Sequence, residues 1–100
     1  MIVQRITYTL KPGRMPQALA MVSAEIERVS PPHAVRVYSP GTGSWDEITL
    51  ELEFESVAES DEFWEQYRAN PGTSEYLAKF SELTTPPTRG EFRSIMEFSR

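Results

Sequence analysis

The chain predicts an α+β fold, a four-stranded antiparallel sheet covered on one face by helices. Three observations predict it. In "ITLELEFE", Ile48 to Glu55, apolar and polar residues alternate without a slip, the mark of a strand with one buried face. Two other stretches carry apolar residues at helical steps of three and four. The elements run strand, helix, strand, strand, helix, strand, and right-handed crossovers close that order most simply into one sheet with both helices on one side. This is the ferredoxin-like βαββαβ arrangement, with the second helix broken.

The first strand, "IVQRITYTL", sets Ile2, Gln4, Ile6, Tyr8 and Leu10 on one face and Val3, Arg5, Thr7 and Thr9 on the other. "KPG" breaks it, and Pro16 suits the first turn of a helix, where a missing N–H is harmless. Met15, Leu19, Val22, Ile26 and Val29 then form an apolar stripe that "SPP", Ser30 to Pro32, brings to an end. "HAVRVYS", His33 to Ser39, reads as a short strand, and "PGTGSWD", Pro40 to Asp46, as a turn. The alternating strand follows over Glu47 to Glu55.

"SVAE", Ser56 to Glu59, matches a capping box in which Ser56 accepts the Glu59 N–H and the Glu59 side chain reaches back to Ser56. The helix it opens carries Phe63, Trp64 and Tyr67 and stops at "NPG", Asn70 to Gly72. Thr73 or Ser74 can cap a second short helix bearing Tyr76, Leu77, Phe80 and Leu83. "TTPPTRG", Thr84 to Gly90, reads as a loop, and "EFRSIMEF" as the last strand, with Phe92, Met96 and Phe98 opposed to Glu91, Arg93, Ile95 and Glu97.

Composition bounds the function. One hundred residues suit a single domain, residues 1–100, with no second unit in view. A chain of that size buries only about 60 to 65% of its unfolded surface, so association would add stability. The net charge of -5 and scattered basic residues argue against nucleic acid. The absence of cysteine excludes disulfides, thiolate metal sites and a cysteine nucleophile. No apolar run reaches membrane-spanning length, so no membrane partner is expected and the reading is cytoplasmic.

With helices on one sheet face, the other collects Arg5, Arg36, Glu51, Glu53 and Arg93 among Val, Thr and Tyr. The third strand lies between the first and second in this fold, so Arg5 and Arg36 flank the two glutamates. Such cross-strand pairs contribute roughly 0.2 to 1 kcal/mol each. The face is either solvated or packed against a second copy in a homodimer, and the dimer is the expectation.

Other candidates are weaker in signal. His33, the only histidine, follows two prolines and reads as an exposed or capping residue; no spacing supports a metal site. Gln4 stands among apolar neighbours and either lines a ligand pocket or bonds a nearby side chain or water. Tyr8, Trp64, Tyr67 and Tyr76 either pack as ordinary core or join Gln4 around a pocket for a small apolar or aromatic molecule. No phosphate loop, nucleophile elbow or dinucleotide fingerprint occurs. No cofactor is expected, and whether the protein is an enzyme stays open.

"TYTLKPGRMPQAL", Thr7 to Leu19, resembles the opening of the NIPSNAP family, where a Tyr-x-Leu-x-Pro-Gly pattern leads from the first strand into the first helix. "FESVAESDEFWEQYRANP", Phe54 to Pro71, is similar to the third-strand end and second helix of NIPSNAP and antibiotic-biosynthesis monooxygenase proteins. The resemblance implies a dimeric α/β barrel in which two ferredoxin-like protomers join their sheets. It also implies two functional readings, a NIPSNAP-like barrel of undetermined activity or a cofactor-independent monooxygenase acting on a phenol or quinol. The family's Glu-x-Arg-x-Tyr pattern stands here as Gln4, Ile6 and Tyr8. The Asn, Trp and His of haem-degrading and quinone-forming relatives align near Ile6, Val57 and Gln66, so that catalytic set does not transfer.

Overall fold

Strict alternation along Glu47–Phe54 gives β3 one apolar face, and the strand lies in the interior of the sheet, hydrogen-bonded on both edges. The computed structural model describes residues 1–39 and 46–94, the last eight by their backbone alone. Four strands, β1 (Ile2–Leu10), β2 (Val35–Tyr38), β3 and β4 (Thr84–Ser94), pair antiparallel in the order β2-β3-β1-β4. Helices α1 (Met15–Val29), α2 (Val57–Ala69) and α3 (Thr73–Ser81) connect them. This is the ferredoxin-like α+β fold. Among the described residues no helix is long and apolar enough to cross a membrane.

Register sets the two faces. Opposite Phe54, Leu52, Leu50 and Ile48 stand Ile2, Gln4, Ile6 and Tyr8, all on the side that the helices cover. Leu10, Ala18, Val22, Ile48, Phe80 and Leu83 form the central buried cluster there. Phe54 is fully buried and meets the ring of Phe63 from α2 at 5.6 Å. The other face carries the Val3–Glu53, Arg5–Glu51 and Thr7–Thr49 pairs of β1 and β3, with Arg36 opposite Glu51 from β2.

Local chemistry explains the helix ends. Ser30 closes α1 in a left-handed conformation, φ 48°, because the proline after it disfavours the right-handed helical region. Its N–H donates to the Ile26 carbonyl and its hydroxyl to that of Glu27. Ser56 caps α2 as expected, accepting the Glu59 N–H at 3.2 Å. The return arm differs. The Glu59 carboxylate accepts from the Glu55 N–H and faces His33 at 2.8 Å, so the capping box closes one residue earlier.

The break between α2 and α3 is also built differently from expectation. Gly72, not Thr73 or Ser74, occupies the cap position of α3, at φ 92°, where a side chain would be strained. Thr73 is buried instead, its hydroxyl held by Arg28.

The expected loop Thr84–Gly90 is strand, the first part of β4. Two adjacent prolines suggested a loop because proline donates nothing to a ladder. On a sheet edge that lack is tolerated, and β4 is an edge strand. Thr7 pairs with Arg89 and Thr9 with Thr85, so Pro86 and Pro87 fall in a bulge where the ladder is already interrupted. Strand β2 begins at Val35 rather than His33. The expected turn lies, except for Asp46, outside the described residues, as do Ile95, Met96, Glu97 and Phe98.

Phe54→Ala should remove roughly 3 to 5 kcal/mol, the usual range for emptying a fully buried aromatic site. Chemical denaturation should register it as a lower midpoint at unchanged slope; an unshifted midpoint would mean that this strand is not the core's anchor.

Candidate functional site

Between sheet and helices the side chains do not close completely. Tyr8 of β1, Phe63, Trp64 and Tyr67 of α2, and Tyr76 of α3 surround a cavity of about 160 Å³, with Glu25 of α1 in its wall. Aliphatic residues, among them Ile6, Val22 and Leu50, complete it. The rings brace one another. Trp64 and Tyr67 meet edge to face at 5.5 Å, and Phe80 lies against both Tyr8 (5.0 Å) and Tyr76 (5.6 Å). Those contacts fix the walls, since aromatic pairs hold preferred angles.

Among the described residues, Glu25 is the only charged one lining this cavity. Its carboxylate accepts two hydrogen bonds from Arg28, at 2.6 and 2.9 Å, and one from the Tyr67 hydroxyl at 2.6 Å. Burial by itself would raise the carboxyl's pKa, but the bonds from Arg28 and Tyr67 outweigh it and hold Glu25 below the usual carboxylate range. The tyrosines move the other way. Burial, reinforced by the bond to Glu25, pushes the Tyr67 phenol far up; burial and the nearby Tyr8 and Glu25 do the same for Tyr76. Tyr8 is raised by burial. At neutral pH the cavity therefore holds neutral phenols around one ionised carboxylate.

The remaining donors of Arg28 leave the cavity. They reach the Asn70 side chain, the Pro71 carbonyl and the Thr73 hydroxyl, all at the break between α2 and α3. Composition offered one signal for this network: a glutamate three residues beyond the stripe residue Val22, with an arginine three further on. Neither residue stands out in the sequence, because an i,i+3 acid–base pair on a helix usually serves solvent alone.

Gln4 has a neighbouring side chain as its partner: its carbonyl oxygen accepts the Trp64 indole N–H at 2.6 Å. It stands outside the cavity lining, in a shallower groove beyond Trp64 that includes Asp61, Glu65 and Arg68. Ile6 lines the cavity, while Val57 and Gln66 are exposed on α2. Of the sequence candidates, the structure brings Tyr8, Trp64, Tyr67 and Tyr76 to one space and leaves Gln4 behind the indole.

On the opposite sheet face, Glu51 is 7% exposed. Arg5 donates to it at 2.7 Å, Arg36 lies at 3.5 Å, and Arg36 also pairs with Glu53. Tyr38, nearly half exposed at 47%, stands beside the Glu51 carboxylate. The side chain of Arg93 lies outside the described residues, although its backbone pairs with Val3. Among the described residues no group of acids and histidines could hold a metal ion.

A family model for NIPSNAP matches residues 3–100. Among solved structures, a NIPSNAP family protein with unknown function from Agrobacterium tumefaciens superposes at a TM-score of 0.84 and 24% identity, over 99% of this chain and 91% of that one. An uncharacterized NIPSNAP domain protein from Burkholderia xenovorans reaches 0.85 at 15% identity, over 100% and 99%. A structure described as an antibiotic biosynthesis monooxygenase reaches 0.75 at 11%, over 97% and 100%. These identities speak for a shared fold. No curated protein matches the chain.

The lowered pKa of Glu25 carries a sign. Its network stabilises the fold above the ordinary carboxyl pKa and is lost as pH falls through the depressed folded value. Thermal melts from neutral to strongly acid pH should therefore show an acid-side decline that Glu25→Gln flattens. Equal decline in both proteins would place the acid sensitivity elsewhere.

Proposed function

The chain belongs to the NIPSNAP family, and we propose that it acts as a binding protein for a small single-ring molecule, held between sheet and helices. One observation carries this reading: an aromatic-walled cavity of about 160 Å³ with the Glu25 carboxylate in its wall. A cavity of roughly 150 Å³ is large enough for benzene. Haem is several times too large. Aromatic walls with a few convergent polar groups are the usual make-up of a small-molecule site.

A monooxygenase acting on a phenol or quinol is the alternative, and the site chemistry supports it less. Activating a phenol for dioxygen begins with removal of its proton. An ordinary carboxyl, near pKa 4, is about six units too weak for a phenol near 10, a gap of roughly 8 kcal/mol. Glu25 is held lower still, and the lining tyrosines stay protonated. The cavity is better suited to holding a donor than to ionising it.

We also propose that the open sheet face joins a second copy. Its support is the burial of Glu51 between Arg5 and Arg36 and the half-exposed Tyr38 beside it. These charges are neutralised within the face, which lowers what it would cost to cover them. The missing cysteines fit a reducing cytoplasm.

A thermal-shift screen should find that single-ring compounds raise the melting temperature, while haem leaves it unchanged. Selective stabilisation by haem would sink the proposal. Sedimentation equilibrium at micromolar concentration should give twice the chain mass of 11.4 kDa. Tyr38→Asp should shift that population toward single copies without lowering helicity; a wild-type protein that sediments as one copy would refute the dimer.

A further inference from the structure

Resting on the single-ring reading, the charge distribution of the cavity goes one step further. A guanidinium has five N–H donors. In Arg28 all five are engaged, two by Glu25 and the others by Asn70, Pro71 and Thr73. Arg28 therefore has no donor left for an anionic ligand unless the bonds across the helix break are given up. Glu25 is not saturated. A carboxylate offers about four lone-pair positions. Oε2 takes one bond from Arg28 and one from Tyr67, whereas Oε1 takes one from Arg28. One acceptor position on Oε1 is left.

Two hydroxyls complete the picture. Among the described residues, those of Tyr8 and Tyr76 have no hydrogen-bond partner, and both residues line the cavity. Glu25 lines the same cavity as the two tyrosines. A hydroxyl accepts as well as donates, and an ammonium carries three donors. The faces of tyrosine and tryptophan rings attract a cation as well. We infer that the cavity selects a protonated single-ring amine, with its ring against Trp64 and Tyr67 and its ammonium on Glu25, Tyr8 and Tyr76. A carboxylate on the same ring would meet the ionised Glu25 and find the N–H donors of Arg28 already engaged, so it is disfavoured.

Benzylamine, benzyl alcohol and benzoate are nearly matched in shape and differ in charge. Calorimetric titration of the full chain at pH 7 should show benzylamine binding at least tenfold more tightly than benzyl alcohol, with no heat from benzoate. Glu25→Gln should abolish the amine's advantage while benzyl alcohol still binds, which also shows that the cavity has kept its shape. Tyr76→Phe should lower the amine's affinity alone. Equal affinity for amine and alcohol, a preference for benzoate, or a tenfold preference that survives Glu25→Gln would overturn the inference and leave the single-ring reading standing. If none of the three binds, nor toluene, both fall together.

Discussion

Arg28 holds the helical layer together. From the last turn of α1 it clasps Glu25 on its own helix and reaches across to Asn70, Pro71 and Thr73, where α2 gives way to α3. A planar guanidinium suits this task, because its donors point in fixed directions and several acceptors can be positioned at once. The pair with Glu25 spans three residues of one helix and would mean little alone. Its consequence comes from what it orders. The break must lie where Arg28 can reach it, Gly72 allows the backbone to turn there without a side chain in a strained conformation, and α3 then brings Tyr76 over the sheet.

The same glutamate connects that scaffold to the cavity. Tyr67 donates to Glu25, so a wall of the cavity and the clamp on the helix break share one carboxylate. Trp64 is fixed separately, by its bond to Gln4 on β1. The two polar contacts fix neighbouring rings of one α2 wall, 5.5 Å apart. Buried polar groups are expensive when unpaired, and here each pairing also orients a ring. Rings held by hydrogen bonds thus border the space between sheet and helices.

The opposite sheet face follows a different rule. Its glutamates and arginines neutralise one another across neighbouring strands, and Glu51 is buried within a single copy of the chain. One set of strand residues thus builds the cavity and the alternate set builds a surface with its charges already matched. The period of two along β1 and β3 divides those tasks.

That division was legible in the amino-acid order itself. Alternation in β3, the stripe of α1 and the breakers between elements determine the element order and the two sheet faces, because periodicity follows from backbone geometry alone. The pairing of Arg5 and Arg36 with Glu51 also follows from strand order, once β3 lies in the interior. Three features were decided by tertiary structure. Pro86 and Pro87 became part of a strand because β1 had a free edge and a bulge could absorb them, and no local pattern reports a neighbour's edge. Gly72 took the cap from Thr73 because Arg28, 45 residues away from that threonine, claimed its hydroxyl. Glu25 became the charge of the cavity because Tyr67 and Arg28 converge on it from two helices, a meeting between residues 42 apart in the chain that periodicity cannot encode.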